Sequence, residues 1–178
     1  MDIAIRRYRA SDAEAFHAAV LESTGHISAW LPWCTPDYSI EDATEWAASA
    51  ARTWEEGSDY RFVIEDRDTL QFLGSVGINQ VVHQHRIGNL GYWVRKSAIN
   101  NDVCTRAARL AVRTAFEQLG FQRIEIHVHT ENAASNRVAA KLGGLYEGIV
   151  RNKLWFKGAS VPAKCYSIIP GDYGIAGP

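Results

Sequence analysis

Leu73-Gly74-Ser75-Val76-Gly77-Ile78-Asn79 and Ile87-Gly88-Asn89-Leu90-Gly91-Tyr92-Trp93-Val94 decide the fold. Both alternate large apolar residues with small or polar ones, the period-two signature of strands with one buried face. The polar turn around His85 joins them as an antiparallel hairpin, Phe72 to Val82 and then Gly88 to Val94. Immediately upstream, Arg61-Phe62-Val63-Ile64-Glu65 reads as a third strand of the same meander. Downstream, Asp102 precedes apolar residues at helical spacing (Val103, Ala107, Leu110, Ala111, Thr114 and Ala115), and Gly120 stops the helix after Leu119.

Further out, Ser11-Asp12-Ala13-Glu14 has the S-x-x-E spacing of a capping box and predicts a first helix to about Leu21. Ser39-Ile40-Glu41-Asp42 repeats the signal with a shorter acid, and a second helix follows from Glu41 to Glu56, ending at Gly57. Between the two, His26 to Pro36 holds Trp30, Trp33 and two prolines, which predicts an aromatic loop. Toward the C-terminus, Ile124, Ile126 and Val128 alternate as a strand. A short helix spans about Ala133 to Leu142, and Gly143-Gly144 lead into strands near Leu145 to Arg151 and Val161 to Ile169. The expected class is mixed α/β, a single domain over residues 1–178 with neither repeat nor linker.

Composition excludes several functions. A chain of 178 residues that is 47% hydrophobic and 22% charged is an ordinary globular domain with a core. Nineteen basic against twenty acidic side chains leave no field for nucleic acid or an anionic membrane. Met1 to Ala10 carries Asp2, Arg6 and Arg7 and no apolar h-region, and no stretch reaches the ~18 apolar residues of a spanning helix. Cys34, Cys104 and Cys165 are odd in number and have no zinc-knuckle or redox spacing. The expectation is a cytoplasmic protein with reduced thiols.

The strand pair, together with Glu131-Asn132-Ala133-Ala134-Ser135-Asn136-Arg137-Val138-Ala139-Ala140-Lys141-Leu142-Gly143, resembles the GNAT acetyltransferases, specifically their RimL/RimJ-type ribosomal-protein N-terminal branch. The second run is similar to that branch's N-x-x-S-x-x-V-x-x-K-x-G pattern. The resemblance covers Ile5 to about Ile169. It implies a mostly antiparallel twisted sheet with a splayed parallel strand pair, flanked by helices. It also implies acyl transfer from acetyl-CoA, or a related acyl-CoA, to a primary amine by direct attack in a ternary complex. A protein or peptide N-terminus and a small amine are both open as acceptors, dimerisation is common in the family, and no step calls for a metal.

Residue by residue, the resemblance assigns donor binding to Trp93, Val94 and Arg95 at the strand end, to the loop and helix start Asn100-Asn101-Asp102-Val103-Cys104-Thr105, and to Asn132. Helix N-terminal amides aimed at one point suit a pyrophosphate. The family's R/Q-x-x-G-x-G/A loop is matched at none of its key positions by Ser97 to Asp102. Asn100 and Asn101 tolerate left-handed backbone, whereas the Asp102 carboxylate is expected to compete for the amides a pyrophosphate needs. A non-catalytic acyl-CoA-binding module is the alternative that this departure raises.

Ser135 corresponds to the branch's proposed proton donor for the leaving thiolate; its bland role is bonding the first-turn backbone. Asn132 equally suits an ordinary helix N-cap. Trp30, Trp33 and Asn79 are assigned to the acceptor side, with Trp46 and Trp54 given to the core. The branch's general-base glutamate counts to Leu154, so the base is unassigned; Glu147 is close in sequence and equally suits a surface salt bridge, and a water-mediated route through it or Asn79 is left open. His127 and His129 share a strand face with Glu125; an H-x-H pair can bind a metal, but no third ligand has convincing spacing, and they are read as a polar sheet face or helix packing. Cys104 is read as packing. Asp37, Glu41, Asp42 and Glu45 could line an acidic acceptor cleft or merely favour a helix N-terminus.

Overall fold

A computed structural model describes residues 2–176; Met1, Gly177 and Pro178, the ends of the expected 1–178 domain, lie outside them. The elements run β1 (Ile3–Arg7), α1 (Ala13–Ile27), α2 (Ile40–Glu55), β2 (Tyr60–Asp66), β3 (Phe72–Val82), β4 (Ile87–Val94), α3 (Val103–Glu117), β5 (Arg123–His129), α4 (Ala133–Lys141), β6 (Leu145–Phe156) and β7 (Ala159–Ile168). All seven strands form one sheet, in the order β1-β2-β3-β4-β5-β7-β6. Every pairing is antiparallel except β4 with β5.

That parallel pair is short. It holds register only from Ile87–Arg123 to Asn89–Glu125, although β4 continues to Val94 and β5 to His129. The strands therefore part, leaving the backbone edges beyond Asn89 and Glu125 without a ladder partner. Packing holds the joined end tight: a Cβ built on Gly88 would stand 2.3 Å from Ile78 Cγ2 and 2.9 Å from Phe121.

The two sheet faces carry different helices. Alternation on β2 sends Phe62 and Ile64 into the core under α3, and Val63 into the core under α1 and α2. α3 lies close to the sheet because half of its buried stripe is alanine: Ala107, Ala108, Ala111 and Ala115, beside Val103, Thr105, Val112 and Phe116. Leu110, expected on that stripe, is instead 37% exposed.

Toward the N-terminus, three boundaries differ from the sequence reading. β1 was not expected, since its five residues include Arg6 and Arg7; Arg6 is neutralised by Asp12, with Nη1–Oδ2 and Nη2–Oδ1 both 2.8 Å, and by Glu65 at 2.6 Å. α1 does not start on a Ser11–Glu14 box: Asp12 precedes it and accepts from the Arg9 amide at 2.7 Å. It runs on to Ile27, six residues past Leu21, because the Ser23 hydroxyl returns its hydrogen bond to Ala19 O at 2.6 Å and turns no chain. The Ser39–Asp42 capping box of α2 forms as expected. No helix among the described residues is long and apolar enough to cross a membrane.

Candidate active site

A cleft of about 850 Å³ runs through the parting of β4 and β5. It is lined on one side by Trp93, Val94 and the first turn of α3, and on the other by β5, α4 and Phe156. Among the expected site residues, Trp30, Asn79, Trp93, Val94, Asn100, Asp102, Val103, Cys104, Thr105, Asn132 and Ser135 line it. Arg95, Asn101 and Trp33 do not.

The loop entering α3 keeps a sharply turned backbone without the family's glycines: Asn100 and Asp102 adopt φ of 63° and 55°. Asp102 stands at the N-cap but makes no side-chain cap bond. Its carboxylate instead accepts from Lys141 Nζ at 3.1 Å, and that ammonium holds it below the usual carboxylate range. The expectation that Asp102 occupies the first-turn amides is thereby corrected: a left-handed backbone swings the side chain off the helix axis, whereas capping needs an extended one. The first-turn amides of α3 are thus left without a side-chain cap.

Arg95 points elsewhere. Its guanidinium grips Glu22 of α1 and donates to Phe72 O at 3.0 Å, while Glu22 also accepts from the Ser97 amide at 2.7 Å. Ser23 accepts from the Lys96 amide at 3.0 Å. Two α1 residues therefore fasten the start of the loop, and Arg95 draws the Glu22 carboxyl down to about 2. Asn101 turns its amide onto Ile99 O at 3.2 Å, inside the loop itself.

On α4, Asn132 is the N-cap: its Oδ1 accepts from the Ser135 amide at 3.0 Å. The Ser135 hydroxyl does not satisfy the local backbone. It lies 3.0 Å from the Tyr92 hydroxyl, which also donates to Ser135 O at 3.3 Å. Burial pushes the Tyr92 phenol well above its ordinary range, so it stays protonated. Tyr92 was given no role by sequence, although alternation against buried Trp93 already placed it on the α3–α4 face. Burial likewise lifts the Cys104 thiol to about 12, so a helix N-terminus does not activate it.

At the vertex of the parting, Asn89 Oδ1 accepts from the His127 amide at 3.2 Å, just beyond the last ladder pair, and Asn89 Nδ2 donates to Asn79 Oδ1 at 2.9 Å. At the open end, His26 Nε2 donates to Val94 O at 3.2 Å. Neither Asn89 nor His26 was singled out by sequence; His26 was read as loop. Leu154, the counted position of the family's glutamate, lines the cleft, whereas Glu147 pairs outside it with Arg123 and accepts from Ser167 Oγ at 2.7 Å.

Trp33 belongs to an aromatic cluster with Phe16, Tyr38 and Trp93, at centroid distances of 6.4, 5.6 and 6.0 Å. It borders a separate pocket of about 410 Å³ shared with Asp42, Glu45 and Trp46. The acids considered for an acceptor cleft therefore do not line the main one. Glu125, His127 and Cys165 bring one donor atom each within 4.8 Å, because β7 sets Cys165 opposite His127. Glu125 accepts from Arg123 Nε at 2.9 Å and from His127 Nε2 at 2.7 Å, while His127 Nδ1 is buried without a partner among the described residues.

Residues 2–144 match the acetyltransferase (GNAT) domain family. The uncharacterized N-acetyltransferase YoaA of Bacillus subtilis is 31% identical over 131 residues, 74% of each chain. Among solved structures, Mycobacterium smegmatis RimJ in complex with CoA-disulfide superposes with a TM-score of 0.87 at 25% identity, covering 96% of this chain and 83% of that one. Ribosomal-protein-S5-alanine acetyltransferase from Vibrio fischeri shares the fold, with a TM-score of 0.82 at 20% identity over 95% and 93% of the chains. With a family match over most of its length and a sheet that parts above an uncapped helix N-terminus, the chain belongs to the GNAT acetyltransferase family and is an acyl-CoA-dependent N-acyltransferase.

Proposed function

We propose that the chain transfers an acetyl group from acetyl-CoA to a primary amine, a peptide N-terminus or a small amine, by direct attack with both substrates bound. One observation carries this reading: the unpaired edges of β4 and β5, the uncapped start of α3 and the Ser135 hydroxyl all open onto one cleft. In it, Trp93 and Val94 hold the pantetheine arm along the strand edge. The loop and first turn, Asn100 and Asp102 to Thr105, receive the pyrophosphate on backbone amides, and Asn132 orients the start of α4. Ser135 protonates the departing thiolate, with its hydroxyl oriented by Tyr92. Asn79 and Trp30 face the acceptor. Arg95 and Asn101 serve the donor indirectly, by fixing the loop.

The experiment is calorimetry with CoA followed by thiol release from acetyl-CoA in a pool of amines. Saturable binding with amine-dependent release supports the reading; binding without release for any amine refutes acyl transfer and leaves a binding module. We further read the molecule as a single cytoplasmic domain, supported by the one continuous sheet and three unpaired cysteines, and as a homodimer joined at the β6 edge. That edge exposes Leu145, Tyr146, Ile149 and Trp155, the last to 75%. Sedimentation at a monomer mass would refute the dimer.

A further inference from the structure

On the sheet face that carries α1 and α2, the cleft is walled by Trp30, His129 and Phe156. Their rings form a row, with centroids 5.4 and 4.8 Å apart and planes inclined at 51° and 53°. They come from three distant segments: the chain just after α1, the end of β5 and the end of β6. His129 accepts from the Glu131 amide at its Nδ1, which holds its ring in the row.

The charges around this wall are equally informative. Among the described residues lining the cleft, the only carboxylate is Asp102, which is bound to Lys141 at the opposite, α3 side. Arg137 lines the cleft from α4, on the α3 side with Asp102, whereas at the wall itself the Lys157 ammonium stands 5.2 Å from the Phe156 centroid. An aromatic wall can attract an ammonium through its ring faces. Here the protein's own lysine already takes that place on Phe156. A second positive charge on an acceptor would leave water for a wall with a cation beside it and no free carboxylate, which is unfavourable.

We propose that the acceptor is an aromatic monoamine, an arylalkylamine whose ring lies on the Trp30–His129–Phe156 row and whose single amine reaches the gap between β4 and β5. This rests on the acyl-transfer reading above. In the step, the amine nitrogen forms the C–N bond as the C–S bond breaks; one amine proton passes to solvent, and the CoA thiolate gains one proton, leaving amide and free thiol. Polyamines and aminoglycosides are excluded by the same surface.

Thiol release from acetyl-CoA should be measured with phenethylamine, propylamine and spermidine. An apolar group seated in a fitted pocket discriminates by about 10- to 200-fold, so kcat/KM for phenethylamine should exceed that for spermidine at least about 10-fold. Trp30→Leu and Phe156→Leu, which keep apolar volume but remove a ring, should each raise the phenethylamine KM about 10-fold and barely move that of propylamine or the CoA Kd. Preference for spermidine overturns the proposal. So do variants that raise the KM of phenethylamine and propylamine alike. Protein that binds CoA but turns over no amine overturns it while leaving the donor site standing, whereas failure to bind CoA removes the reading beneath it.

Discussion

If the Ser135 hydroxyl protonates the thiolate and Tyr92 orients it, Ser135→Ala, Tyr92→Phe and the double variant make a decisive cycle. Loss of a general acid costs on the order of 10²-fold in kcat. The Tyr92 phenol sits 3.0 Å from Ser135 Oγ in a buried setting. A net hydrogen bond of about 0.5–1.5 kcal/mol then predicts a roughly 2- to 12-fold fall in kcat for Tyr92→Phe. In the Ser135→Ala background the same change should cost almost nothing, because the group it orients is gone. CoA affinity should hold throughout.

The structure also separates chemistry from stability. The N-cap bond runs from the Ser135 amide to Asn132 Oδ1, so Ser135→Ala preserves it and the melting temperature should barely move. Tyr92→Phe leaves Ser135 O without its 3.3 Å donor and should destabilise by about 1 kcal/mol. Steady-state kinetics, CoA calorimetry and thermal melts on all four proteins test this. Equal losses from Tyr92→Phe with and without Ser135 would refute the coupling, and wild-type kcat in Ser135→Ala would remove the serine from the mechanism.

Asp102→Gly should tighten CoA binding about 3- to 10-fold, because it removes a negative charge at the α3 start, frees Lys141 and puts glycine at a φ of 55°; unchanged calorimetry would mean the loop tolerates the charge. Trp33→Ala should lower stability by about 2 kcal/mol, a melting shift of roughly 4–8 °C, through loss of its cluster with Phe16, Tyr38 and Trp93, and leave acceptor KM unchanged. A raised acceptor KM without a melting shift would return it to substrate binding. The folded-state pKa of Glu22 is depressed, so the Glu22–Arg95 clamp contributes fully above the ordinary carboxylate value of 4.5 and is lost as pH falls towards 2. Acid titration of wild type against Glu22→Gln should show curves that converge over that window, and parallel curves would refute the linkage.

Local signals were legible in this chain and distant ones were not. Alternation from Phe72 to Val94 and the Ser39–Asp42 box depend on neighbours a few residues away, and the elements form where they predict. The sequence reading places the end of β6 near Arg151. The strand continues to Phe156 through a register shift between Val150 and Leu154, which an exposed edge strand tolerates. The site depends on longer reach. Tyr92 meets Ser135 across 43 residues, Arg95 meets Glu22 across 73, and Phe156 joins Trp30 only through His129. No spacing rule in one chain encodes such encounters.

Asp102 shows how a sound local rule fails for a physical reason. Aspartate before an apolar helical run is a strong capping signal, but the rule presumes an N-cap residue in the extended region. Here Asn100 and Asp102 both carry positive φ, as the tight turn between β4 and α3 demands. On that backbone the carboxylate bonds to Lys141, 39 residues on, and caps none of its own helix amides. The departure from the glycine motif is thus absorbed in two steps: asparagine and aspartate bear the left-handed turn at a modest conformational cost, and a lysine of α4 diverts the unwanted charge. On the proposed donor site, Lys141 acts through Asp102. Lys141→Met should weaken CoA binding in the wild-type loop more than in Asp102→Gly, and equal losses in both would show that Lys141 meets the donor phosphates directly.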